Sequence, residues 1–302
     1  MLLTLAANAL RSRLAAPRKG RAPAGTLQVT DLPRFAREEL GLYGLNLSTN
    51  LLVGADLARL DAIRDAADKA SCPCLVLVES EVQPMGTTDD PTGDAAIARS
   101  ARVVQAAHRL GCNSVGLPIS VKDNEDEIDF CVERLRRVLQ TAERLEVNVL
   151  IAPASGITAE PDRLTDLIKK VGGFRIGTFP DFEAASRAPD PHLYLRRITP
   201  YASAVTAACV NFKPGRRAGE WVHEPYDLAA FAEVVKSVGY TGTLAIDCRG
   251  DGDPVESVRR AKDLLESVVG PVAPAAEGAV PDEIVPPGPD DEADDGDDDE
   301  DE

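Results

Sequence analysis

Histidine, tryptophan and the signature glycine loops are what this chain has least of, and each shortage removes a class of chemistry. It contains 3 His and one Trp in 302 residues, and aromatic side chains make up only 4%. The 6 cysteines, at positions 72, 74, 112, 131, 209 and 248, form no Cys-x-x-Cys pair and have no His at zinc spacing. They read as buried thiols of a reducing compartment, which points to the cytoplasm; Cys72-Pro73-Cys74 reads as a strand entering the core. No apolar run approaches the roughly 20 residues that span a bilayer, so no membrane partner is expected. No Gly-x-Gly-x-x-Gly follows a strand and no Gly-x-x-x-x-Gly-Lys-Ser/Thr occurs, so no nucleotide cofactor is expected either.

Charge is unevenly spread. Residues 270–302 hold fourteen of the 50 acids and no Lys or Arg, so the formal charge of -17 becomes -3 over the rest. That acidic, Pro- and Gly-rich tail cannot bury apolar surface and is expected to be disordered, leaving residues 1–269 as the folded unit. A nearly neutral body lacks the clustered cations that phosphate contacts need, which argues against nucleic acid as a partner. Residues 1–30 carry five Lys or Arg and no acid. Their charges follow the apolar stretch MLLTLAANAL instead of preceding it, so they are read as a first strand in preference to a transit segment or signal peptide.

With 44% hydrophobic residues there is ample material for a core, and it is arranged as one recurring unit. Amphipathic helices are expected at 31–40, 56–70, 93–110, 123–146, 160–171, 190–200, 227–238 and 254–268. Between them lie YGLNLS, PCLVLVES, NSVGLPIS, VNVLIAP, GFRIGTF, ASAVTAACV and GTLAIDC, and LLTLAANA precedes the first. Asp31 is an expected cap, Asp123 a start signal ahead of an acid-rich first turn, Pro161 a helix start, and Gly41, Gly111, Gly172 and Gly239 helix stops. Strict alternation implies parallel strands joined by crossover helices, and an eightfold count implies a closed α/β barrel, the (β/α)8 or TIM barrel. Working residues of such a barrel sit where strands end. Those windows offer Asn8, Ser48, Thr49 and Asn50, then Glu79 and Glu81, then Ser120 and Lys122. Further on they offer Thr178 and Asp181, Thr206, Asn211 and Lys213, and finally Asp247 and Arg249.

The runs TLQVTDLPRFAREELGLYGLNL, VNVLIAPASGIT, IGTFPDFEAA and YDLAAFAEVVKSVGYTGTLAIDCRGDGDPVESVRRAKDLL carry a resemblance that spans about residues 3–268. Together they resemble the sugar phosphate isomerase/epimerase family, the xylose isomerase-like TIM barrels. That resemblance implies Glu, Asp, His and Glu at the ends of strands five to eight, holding Mg, Mn or Zn that polarises a sugar carbonyl and hydroxyl. Position by position, Ala152-Pro153-Ala154 stands where the first Glu and a nearby His are implied, and Asp181 matches the Asp. Thr206 and Ala208 replace the His and a Lys, Asp247 replaces the last Glu, and Arg249 stands where a second acid is often found. Two of four ligands remain, so the resemblance implies a weakened metal site at Asp181 and Asp247. An endonuclease of the same superfamily would need several metal-binding His and a basic groove, and this sequence has neither.

Each candidate carries two readings. Asp181 is a metal ligand or the cap of the next helix; Glu79 leans into the mouth as a catalytic carboxylate beside Asp181 and Asp247, or pairs with Arg249. His223 supplies an imidazole to the substrate or packs its loop against Trp221, and Trp221 stacks on a sugar ring or packs the same loop. Lys213, Arg216, Arg217 and Arg249 make the mouth cationic, suited to a phosphorylated ligand. The expected function is action on, or binding of, a sugar or sugar phosphate, as an isomerase or epimerase or as a non-catalytic binding or scaffold barrel.

Overall fold

The computed structural model describes residues 1–14, 26–217 and 219–270. The acidic tail from residue 271 and the basic stretch 15–25 lie outside the described residues. Eight parallel strands form one sheet: β1 Leu2–Ala6, β2 Leu45–Ser48, β3 Cys74–Val78, β4 Ser114–Val121, β5 Asn148–Gly156, β6 Ile176–Thr178, β7 Ala204–Cys209 and β10 Thr243–Cys248. Strands β8 (Asn211–Pro214) and β9 (Trp221–Glu224) form a separate antiparallel hairpin. The sheet order is β6-β5-β4-β3-β2-β1-β10-β7, so β1 sits between β2 and β10, as the first-strand reading of the N-terminus requires. Closure falls between β6 and β7, through bridges Thr178 to Ala202 and Asp181 to Thr206 and the Thr206 N–H donating to the Pro180 carbonyl at 2.8 Å.

The helices are α1 Leu32–Glu39, α2 Leu57–Lys69, α3 Asp90–Leu110, α4 Glu125–Arg144, α5 Pro161–Val171, α6 Phe182–Ser186, α7 Pro191–Ile198, α8 Leu228–Ser237 and α9 Pro254–Val269. All but α6 match an expected helix. One cap differs from expectation. Asp31 leaves α1 uncapped and instead accepts from the Gln28 N–H at 2.8 Å, bracing the turn before it. Asn124, just after the Asp123 start signal, caps α4 by accepting from the Glu127 N–H at 2.9 Å. The stop at Gly111 is as expected, in the left-handed conformation at φ 80° that costs a side-chain-bearing residue 1–2 kcal/mol or so.

Side chains alternate across each strand, so one set faces the helices and the other the barrel interior. Val76, Leu150, Phe179 and Ala204 pack together there, all under 5% exposed. The Phe179 ring lies where a Cβ on Gly116 would meet it at 2.8 Å, so the glycine makes room for the aromatic floor of the barrel mouth.

The β6–β7 closure is the least hydrogen-bonded seam, and Gly177 lets it close: an added Cβ would stand 2.3 Å from the Tyr201 carbonyl oxygen. Backbone cannot retreat as a flexible side chain can. Gly177→Ala is expected to cost about 1–3 kcal/mol, read as a lower urea midpoint at unchanged slope; an unshifted midpoint would show that the seam yields freely.

Candidate active site at the barrel mouth

A cavity of about 250 Å³ opens at the C-terminal end of the strands. Its wall combines apolar Val78, Pro118 and Phe179 with polar Asn8, Asn46, Ser48, Asp181, Thr206, Asp247 and Arg249. Register explains why residues far apart in sequence meet here. Asp181 bridges to Thr206 on β7, and on the other side of β7 Asp247 pairs with Ala208, so the two aspartates flank one strand. Arg249 follows Asp247 by two residues, on the same face, and its N–H continues the ladder by donating to Cys209 O at 2.8 Å.

The Arg249 guanidinium sits among three carboxylates. Its Nη2 donates to Asp181 Oδ2 at 2.6 Å, Nη1 to Glu183 Oε2 at 2.7 Å and Nε to Asp247 Oδ2 at 2.8 Å. Asp181 Oδ1 meanwhile accepts from the Ala184 N–H at 2.9 Å and caps α6, so the aspartate serves as a helix cap and an ion-pair partner at once. Burial pushes the Asp247 carboxyl above the usual carboxylate range, against the pull of Arg249. Burial pushes Glu183 up too, but Arg249 and Arg187 outweigh it and hold Glu183 below that range. Burial works against the charge on Arg249, yet the field of Asp181 and Asp247 raises its pKa further still.

The other expected site residues lie elsewhere. Glu79, 1% exposed, accepts from Arg99 Nε at 2.7 Å, Thr49 Oγ1 at 2.9 Å and the Glu81 N–H at 3.0 Å. Burial raises its pKa, but those donors more than offset the rise and set it below the ordinary value. Its partner is Arg99 on α3, not Arg249. His223, 4% exposed, uses both ring nitrogens: Nε2 accepts from the Val210 N–H at 2.8 Å and Nδ1 bonds to the Tyr226 carbonyl at 2.7 Å. Burial lowers its pKa, favouring the neutral ring that this pattern needs. Trp221 lies on β9 with the Arg260 guanidinium 3.4 Å from its ring centre, and Lys213 pairs with Glu224 across the same hairpin. None of these four lines the mouth cavity.

Asn46 and Glu183 were not singled out by sequence. Asn46 is 3% exposed, lines the cavity, and neither end of its amide has a hydrogen-bond partner among the described residues. Its signal was available: Asn46 and Ser48 are polar alternates in the otherwise apolar strand LNLS. As for a metal, no group of three or more His, Cys, Asp or Glu that could hold an ion exists among the described residues. The two aspartates at the ligand positions are already joined through Arg249. This donor set does not fit a divalent cation.

Replacing the cation strands buried negative charge. Arg249→Met is expected to lose roughly 2–4 kcal/mol at neutral pH, below the full buried-pair figure because Arg249 is partly exposed. Without Arg249 nothing opposes the burial that already raises the Asp247 carboxyl, so its folded-state pKa lies above the unfolded one; the loss is full above that raised value and shrinks as pH falls toward about 4. Chemical denaturation at several pH values checks both; a pH-independent loss would contradict the assignment.

Comparison with known proteins follows the same geometry. No curated protein matches the chain. Among solved structures, D-psicose 3-epimerase with D-tagatose from Clostridium cellulolyticum H10 superposes with a TM-score of 0.68 at 13% identity, over 89% of this chain and 99% of that one. A xylose isomerase-like TIM barrel protein from Mycobacterium smegmatis in complex with magnesium gives 0.63 at 18% identity, over 88% and 96%. The IOLI protein with a binding zinc atom gives 0.66 at 14%, over 89% and 100%. These likenesses establish the shared fold. Residues 37–268 match the family described as xylose isomerase-like TIM barrel, and the chain belongs to that family.

Proposed function

We propose that the barrel mouth binds a neutral sugar and does so without a divalent ion, as a binding barrel and not as a metal-dependent isomerase or epimerase. The observation that carries this reading is Arg249 seated between Asp181 and Asp247, within 2.6–2.8 Å of each. A metal at that place would have to displace a guanidinium held by Asp181, Glu183 and Asp247, and would find no imidazole there. Glu79 and His223, which could otherwise add a carboxylate and an imidazole, are committed to Arg99 and to the backbone around Val210 and Tyr226. Weak Mg, Mn or Zn binding through Asp181 and Asp247 is the competing reading, and with it an active isomerase.

The sugar part rests on the cavity's lining and on family membership. Asn46, buried with no partner among the described residues, costs free energy until a ligand group pairs with its amide. Apolar Phe179 and Val78 beside it suit the C–H face of a ring. A phosphate is less suited, because Arg249 spends its charge on carboxylates and Lys213 on Glu224. Among the described residues no helix is long and apolar enough to cross a membrane; we place the protein in the cytoplasm on its thiol content.

Calorimetric titration with D-fructose and D-glucose in EDTA tests the reading. Binding is expected to persist in EDTA and to weaken about tenfold in Asn46→Leu. Binding or turnover that needs added Mn, Mg or Zn and disappears in EDTA would overturn it.

A further inference from the structure

A second cavity, of about 380 Å³, adjoins the mouth. Pro153, Ala184 and Arg187 line both, so the two share a wall at the end of β5 and the start of α6. Small side chains give this annex its width: Ala154, Ala159 and Ala188 leave room that larger residues would fill. Its chemistry is mixed. Pro161, Pro189 and Leu193 present apolar surface, while Glu160 and the hydroxyl of Tyr194 are polar.

Tyr194 is the informative residue. It lines the annex, is 2% exposed, and its hydroxyl has no hydrogen-bond partner among the described residues. A phenol buried in that way is destabilising unless something pairs with it, and the annex is the cavity beside it. Arg187, at the junction, is anchored by Glu183, which also binds Arg249 in the mouth. Each cavity thus carries one buried polar side chain without a partner among the described residues, Asn46 in the mouth and Tyr194 in the annex.

We propose that the mouth and the annex together take a two-ring O-glycoside. One sugar ring lies over Asn46 and Arg249, the linkage passes Pro153 and Ala184, and the second ring packs on Leu193 and Pro161 with a polar group at Tyr194. This rests on the sugar reading of the mouth and extends it by naming the ligand's size and shape. The second ring is a sugar or an aromatic aglycone; both present a flat apolar face and a polar edge.

The full chain is titrated with D-glucose, cellobiose and phenyl β-D-glucoside, alongside Ala188→Phe, whose ring would occupy the annex, and Tyr194→Phe. At least one two-ring probe is expected to bind about tenfold tighter than D-glucose. In Ala188→Phe that ratio should fall to about one, with Tyr194→Phe between; melting temperatures confirm that each variant folds. A gain for cellobiose alone identifies a second sugar, and a gain for the phenyl glucoside alone an apolar aglycone; either supports the proposal. Equal affinities for all three probes, or a preference that survives Ala188→Phe, would overturn it while leaving the mouth reading intact. No binding by any probe would overturn both.

Discussion

A single guanidinium organises this barrel mouth. Three carboxylates from the ends of β6, α6 and β10 converge on it, and Asp247, at 9% exposure, is buried deeply enough that a charge there needs a counter-charge. Arg249 supplies it through directed N–H contacts, one to each carboxylate. The same contacts tie the end of β10 to the end of β6, across β7, beside the β6–β7 seam where the barrel closes. Ring closure and site chemistry thus depend on one residue.

What surrounds the cluster follows from that commitment. Apart from Arg187, which pairs with Glu183, the cavity's remaining polar groups are uncharged amides and hydroxyls, at Asn8, Asn46, Ser48 and Thr206, which suit hydroxyl recognition better than proton transfer. The hairpin after β7 spends its ionic and aromatic residues away from the mouth, Lys213 on Glu224 and Trp221 on Arg260 of α9. Phe212, His223, Tyr226 and Phe231 form a chain of ring contacts beneath it, and Tyr226 donates to the Ala208 carbonyl at 2.5 Å. His223 is thereby a structural imidazole that fixes the exit of β7.

Much of the fold was legible because burial imposes period. Eight apolar runs and eight amphipathic stretches announced the alternation, and a parallel sheet was the remaining way to connect them. Helix α6 escaped because five residues are too few to show a helical repeat. The β8–β9 hairpin escaped because Asn211–Pro214 is mostly exposed and carries a proline, so no apolar alternation marks it.

The site was half legible. Asp181 and Asp247 stood out as carboxylates at strand ends, and both reach the mouth. The pairing that decides their role joins Arg249 to a residue 68 positions away and depends on register, which the sequence does not spell out. A partial signal existed: in Asp247-Cys248-Arg249, the acid and the base are two apart on a strand, hence on one face, and must share the same space. Glu79 was misjudged for the opposite reason, since its partner Arg99 comes from a helix face with no pattern linking it to a strand end.

The account turns on what lies between Asp181 and Asp247. A crystal structure grown in millimolar Mn, with data collected at the manganese absorption edge, addresses it directly. The expected result is Arg249 bridging the two aspartates with no anomalous peak between them; a manganese peak there, with the guanidinium swung away, would contradict the account.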